Sequence, residues 1–136
     1  MNPENLASAI LLLDDDRTVL HLLKLRFALA KIEVFAFDNA EEARSFISIG
    51  TNRSKIKVAI VDLFLDGDRG EHLSNNFIEN ELVPFQINYC RLTSAPSLVP
   101  EEFSGIKVFD KHDALRDVDE LYKTILSLLP SASVKD

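Results

Sequence analysis

Two short apolar runs, each ending in aspartate, constrain this 136-residue chain more than any other feature. Ala9-Ile10-Leu11-Leu12-Leu13 stops at Asp14-Asp15-Asp16, and Lys57-Val58-Ala59-Ile60-Val61 stops at Asp62. Runs this short and branched read as strands covered on both faces, the pattern of a parallel sheet. Parallel strands point the same way, so their carboxyl ends lie side by side and Asp62 comes close to Asp14 and Asp15. Unit charges about 4 Å apart repel by roughly 1 kcal/mol in water and about 4 kcal/mol at an effective dielectric of 20, so the cluster calls for a cation. Mg²⁺ suits it, because this hard ion takes a few carboxylates and completes its shell with water and phosphate oxygens.

The rest of the chain alternates strand and helix signals, as a doubly wound α/β domain with a five-stranded parallel sheet requires. Strands are expected over Leu6 to Leu13, Ile32 to Phe37, Lys57 to Val61, Gln86 to Leu92 and Ile106 to Asp110. A first helix follows from about Arg17 to Ala30. Asn39 with Glu42 resembles a capping box opening a second helix, which Gly50 closes. Thr51 to Lys55 reads as a polar loop, and Gly70 to about Glu81 as a short helix ended before Pro84. Leu115, Val118, Leu121, Ile125 and Leu128 recur at helical spacing, and Pro130 stops that last helix. One domain over residues 1–130 and a tail over 131–136 are expected. Between Thr93 and Lys111, Pro96, Pro100 and Gly105 leave only Ser97 to Ser104 for a connecting helix, which is therefore short or missing.

Two further strand ends contribute groups that are not acidic, Thr93-Ser94 and Lys111. Three acids, a hydroxyl and an amine on one rim suit phosphoryl chemistry on a carboxylate. Singly, each has an ordinary explanation. Acids before Arg17 complement a helix dipole, Asp62 can end a strand in a turn, Thr93 and Ser94 can start a loop, and Lys111 can be a solvated surface charge. Their convergence at four strand ends favours the functional reading.

Taken in order, these motifs resemble the receiver domain of bacterial two-component response regulators, from about Ser8 to Leu129. Leu12-Leu13-Asp14-Asp15-Asp16 is similar to the family's acidic pair, and Asp62-Leu63 with Gly70 eight residues on is similar to its phosphoacceptor segment. Thr93 and Lys111 stand at its switch hydroxyl and lysine. The resemblance implies a flavodoxin-like fold and a phosphorylation switch in a phosphorelay, without an enzyme's turnover beyond the chain's own phosphorylation and dephosphorylation. It further implies Asp62 as phosphoacceptor, and Mg²⁺ held by Asp14, Asp15, Asp62 and the Phe64 backbone carbonyl. Thr93 would then bond the phosphoryl group and Lys111 would neutralise it. The donor would be a histidine kinase or a histidine phosphotransfer protein, and output would pass to a downstream protein. The chain departs from the family pattern at His112, where proline usually follows the lysine, at Asp66, and at Val108, where the switch aromatic usually stands. Two alternatives belong to other classes: a degenerate receiver acting as a constitutive binding module, and a metal-dependent aspartyl-phosphate phosphatase.

Composition narrows the setting. A net charge of −7 and the lack of a Lys/Arg run disfavour direct nucleic-acid binding. Cys90, the sole cysteine, reads as a buried small hydrophobe. No stretch approaches the roughly 20 apolar residues of a membrane span, so a cytoplasmic location is expected. His21, His72 and His112 lack ligand-like spacing. In the first helix, Arg17, His21, Lys24 and Lys31 form one stripe, while seven apolar residues from Val19 to Leu29 cover more width than one sheet face needs. The surplus is read as extra core contact with the last helix, and alternatively as a docking surface.

Overall fold

Strand β1 (Ala9–Leu13) is buried along its whole length, because strands flank both its edges and helices cover both its faces. The computed structural model describes residues 9–62, 70–93, 108–111 and 116–128. After β1 come α1 (Arg17–Leu29), β2 (Val34–Phe37), α2 (Ala40–Ile47), the single turn α3 (Gly50–Arg53) and β3 (Ile56–Asp62). Then follow α4 (Gly70–Phe77), β4 (Asn88–Thr93), β5 (Val108–Asp110) and α5 (Val118–Leu128). The sheet order is β2-β1-β3-β4-β5 with every pair parallel, the flavodoxin-like doubly wound arrangement expected from the sequence.

Alternation along the strands sorts the core into two layers. Ala9, Leu11 and Leu13 face Ala43 and Ile47 of α2, with Phe77 at the end of α4 and Ile78 and Leu82 beyond it. Ile10 and Leu12 face Val19, Leu23 and Phe27 of α1, with Leu121 and Ile125 of α5. Leu13 pairs with Val61, Asp62 with Leu92, and Thr93 with Asp110. That register lines up the residues just beyond each strand on one edge of the sheet.

Local chemistry explains where the elements start and stop. Asp16 caps α1, its Oδ1 accepting from the backbone N–H of Thr18 at 2.9 Å and of Val19 at 3.3 Å. Asn39 caps α2 as expected, accepting from the Glu42 N–H at 2.8 Å. Gly50 does not close that helix, which ends at Ile47; Gly50 instead opens α3 inside the segment expected to be a loop. The extra turn has a cause: the Asn52 side chain donates to the Phe46 carbonyl and Arg53 to the Ile47 carbonyl, tying the turn to carbonyls at the end of α2. Beyond α4 the chain does not stop before Pro84 but continues through a π-type turn (Ile78–Leu82) and a 3-10 turn (Val83–Phe85). Pro84 fits there because the first positions of a helical turn need no N–H. Gln86, with φ of 59°, ends the turn in the left-handed region. Leu6 to Ser8, the stretch between Ser94 and Gly105 and the tail lie outside the described residues.

The breadth of the apolar face of α1 has a different outcome from the one expected. Val19, Leu20, Leu23 and Phe27 are buried, but Leu22, Leu25 and Leu29 are 41%, 51% and 76% exposed. The surplus is not core contact. α1 meets α5 through the Arg26–Asp119 ion pair at its rim and Phe27 and Leu121 within the core. Phe27→Ala should therefore lose about 3–5 kcal/mol of stability in urea unfolding, whereas Leu25→Ala should lose less than about 1 kcal/mol. Equal losses would contradict this assignment of faces.

Cys90 lies in the α1-side core, and burial pushes its thiol up to about 12. At neutral pH it is the uncharged thiol, which is neither accessible nor nucleophilic. Alkylation by iodoacetamide should be negligible in the folded protein and complete in urea; labelling at similar rates in both would contradict the burial.

Candidate functional site

The carboxyl edge of the sheet is where the acids meet. Asp14 follows β1 directly and is fully buried; its backbone N–H bonds the Phe37 carbonyl at 3.1 Å, and its Oδ1 accepts from the Asp16 N–H at 2.8 Å. The three consecutive aspartates thus divide the work: Asp14 is inside, Asp15 is exposed at the rim, and Asp16 caps α1. Asp62 closes β3 and is likewise buried. From the end of β5, the Lys111 ammonium donates to Asp14 Oδ1 at 3.0 Å and to Asp62 Oδ2 at 3.1 Å, with its side chain only 12% exposed. Thr93, the last residue of β4, is buried beside them in the strand order. Carboxylate oxygens of Asp14, Asp15 and Asp62 lie within 4.8 Å of one another.

The electrostatics follow from that packing. Burial pushes the Asp14 carboxyl above its usual range, against the Asp16 N–H and Lys111, which favour the charged form. Burial pulls the Lys111 amine down, yet Asp14 and Asp62 together hold it above its ordinary value. Lys111 therefore remains charged, shared between the Asp14 and Asp62 carboxylates. Asp14 Oδ2 is buried with no hydrogen-bond partner among the described residues. A buried acceptor left unmade costs about 1–3 kcal/mol, so this oxygen suits a ligand atom that no described residue supplies. The donor set is all oxygen, which fits a hard divalent cation such as Mg²⁺.

Of the residues singled out in the sequence, Asp14, Asp15, Asp62, Thr93 and Lys111 come to one rim. The Phe64 carbonyl, Asp66 and His112 lie outside the described residues, and of Val108 only the backbone is described. Arg91 was missed. It is fully buried in β4, donating to Ser74 Oγ at 3.1 Å and Asn75 Oδ1 at 2.7 Å, and so ties α4 to the strand that ends in Thr93. The available signal was a charged residue between Cys90 and Leu92, inside a run read as buried strand.

Replacing Lys111 by Met keeps the stem but strands two buried carboxylates without a counter-charge. Without divalent ions the variant should lose about 3–5 kcal/mol, as breaking a buried pair does. Added Mg²⁺ should restore a larger share of stability to Lys111→Met than to the parent protein in urea unfolding. An identical response in both would contradict the charge balance.

No family model and no curated protein matches the chain. Solved structures do. The response regulator TrrA from Thermotoga maritima, in complex with Mg²⁺ and BeF, is 21% identical, with a TM-score of 0.64 over 90% of this chain and 99% of its own. The Mn²⁺-bound response regulator Rcp1 is 16% identical, with a TM-score of 0.66 over 90% and 99%. A de novo designed Rossmann 2x3 protein is also similar, at 16% identity and a TM-score of 0.61 over 91% and 96%. Since a designed chain shares the architecture, the fold alone carries no function, and the rim residues must carry it. In fold, the chain is similar to the CheY-like response-regulator receiver domains, its structural neighbours over about 90% of its length.

Proposed function

We propose that this chain is a phosphorylation-switched receiver that accepts a phosphoryl group on Asp62 from a histidine kinase or histidine phosphotransfer protein. One observation carries the reading: the Lys111 ammonium is shared by Asp14 and Asp62, buried at adjoining strand ends. A structural salt bridge needs one carboxylate; a phosphoacceptor site suits several acids, which can hold a metal cation, with a fixed amine to offset the charge that arrives.

In the transfer, an Asp62 carboxylate oxygen attacks the phosphorus of phosphohistidine. The O–P bond forms, the P–N bond breaks, and the imidazole leaves and takes up a proton. The acyl phosphate carries about −1.5 to −2 charge where the carboxylate carried about −1, and Lys111 offsets the gain while the Thr93 hydroxyl donates to a phosphoryl oxygen. Mg²⁺ would be held by Asp14, Asp15 and Asp62, with the Phe64 carbonyl, and would neutralise the oxygens of the transferring group. Water later attacks the phosphorus of the acyl phosphate; the bond from phosphorus to the Asp62 oxygen breaks, inorganic phosphate leaves, and Asp62 returns to its carboxylate. The chemistry is confined to the chain's own side chain, so the protein turns over no external substrate.

The exposed row Leu22, Leu25 and Leu29, beside Arg17, His21 and Lys24, supports α1 as the surface on which the phosphodonor docks. Among the described residues no helix is long and apolar enough to cross a membrane. A cytoplasmic setting and output to a downstream protein suit this reading.

Beryllofluoride should bind only in the presence of Mg²⁺, shifting backbone resonances of Asp14–Asp16, Asp62, Thr93 and Lys111. Asp62→Asn should abolish that response together with labelling by acetyl phosphate. Equal labelling of the variant would remove Asp62 from its role.

A further inference from the structure

A second polar cluster sits at the opposite end of the sheet, about 16 Å from Asp62 along β3 by strand rise. Here α3, the start of β3 and the 3-10 turn before β4 enclose a cavity of about 360 Å³. That is the size of a small-molecule site. Arg53, Ser54 and Lys57 line one side, and Phe85, Gln86 and Asn88 the other. Among the described residues no carboxylate lines it, in a chain with 22 acids against 15 lysines and arginines.

The arginines make the contrast sharper. Arg17, Arg26 and Arg44 each meet a carboxylate, on Asp38, Asp119 and Glu81. Arg53 does not meet one among the described residues. Its Nη1 donates to the Ile47 carbonyl at 3.3 Å, and its guanidinium lies over the Phe85 ring, 4.0 Å from the centroid. The fork is thus held in place by neutral partners, with no counter-charge among the described residues. Lys57, half-buried at the second position of β3, likewise has no ion pair among the described residues.

A planar, oriented guanidinium lining the same cavity as a lysine matches a phosphate group, since arginine binds such oxyanions bidentately and lysine adds a point charge. The exposed Phe85 ring supplies an apolar wall beside them. We propose that this cavity binds a small phosphomonoester carrying a planar ring, of mononucleotide size. The site shares no residue with the acidic rim and does not depend on the role assigned to Asp62.

The test is a titration of the full chain with AMP, inorganic phosphate and adenosine, without divalent ions, followed by ¹H–¹⁵N spectra. AMP should give saturable shifts over residues 53–57 and 85–88, tighter than inorganic phosphate. Arg53→Gln should weaken AMP binding about tenfold or more, with Lys57→Gln in the same direction. Asp62→Asn should leave it unchanged. Shifts that fail to saturate, that match a sodium chloride control, that centre on residues 14–16 and 62, or that survive both Arg53→Gln and Lys57→Gln would overturn the proposal. Equal affinity for AMP and inorganic phosphate would overturn the ring specificity.

Discussion

The ammonium of Lys111 between the Asp14 and Asp62 carboxylates is the interaction on which the carboxyl edge of this sheet depends. Two buried carboxylates at neighbouring strand ends repel, and burial removes the water that would screen them. A cation placed there converts the repulsion into two charge-assisted hydrogen bonds. The fold decides which residue can supply it. In the order β2-β1-β3-β4-β5, the end of β5 lies about 10 Å from β3 and about 14 Å from β1 by strand spacing. Only a long, flexible cationic stem at that place can bridge toward both acids, which is why a lysine just beyond β5 serves where a histidine could not.

This arrangement has an energetic consequence. The apolar layers around Leu11 and Leu12 supply the stability, and the acidic edge draws on it. Asp14 Oδ2 lacks a hydrogen-bond partner among the described residues, and burial works against the charge of both Asp14 and Lys111. A chain under selection for stability alone would replace these groups with apolar ones, since buried ion pairs are often no better than a well-packed core. Their presence at the strand ends is the signature of a site kept for ligand chemistry.

Much of this was legible in the sequence because strand burial and strand order leave plain marks. Continuous apolar runs at Ala9 and Lys57 identify the central strands, and the aspartates that end them place the site before any coordinate is known. The Asn39 cap was equally readable, since its position three residues before Glu42 has a single geometric meaning. Other features leave no such mark. Which of three consecutive aspartates caps α1 depends on backbone angles, and Asp16 takes the extended conformation at the cap, its side chain accepting from Thr18 and Val19. The turn α3 arises from side-chain bonds of Asn52 and Arg53 to the end of α2, a tertiary accident of polar residues that read as loop. The exposure of Leu22, Leu25 and Leu29 depends on how far neighbouring helices reach over α1, a width that periodicity does not encode. Arg91 reads as a strand residue until Ser74 and Asn75 are seen to receive it.

The most direct measurement is the chemical location of the transferred phosphoryl group. After incubation with phosphorylated histidine kinases of the host, reduction with borohydride converts an aspartyl phosphate to homoserine, which peptide mass mapping locates. The account predicts homoserine at residue 62 and nowhere else, in an amount that depends on Mg²⁺. Homoserine at Asp14, Asp15 or another carboxylate, or its absence with every kinase tested, would contradict it.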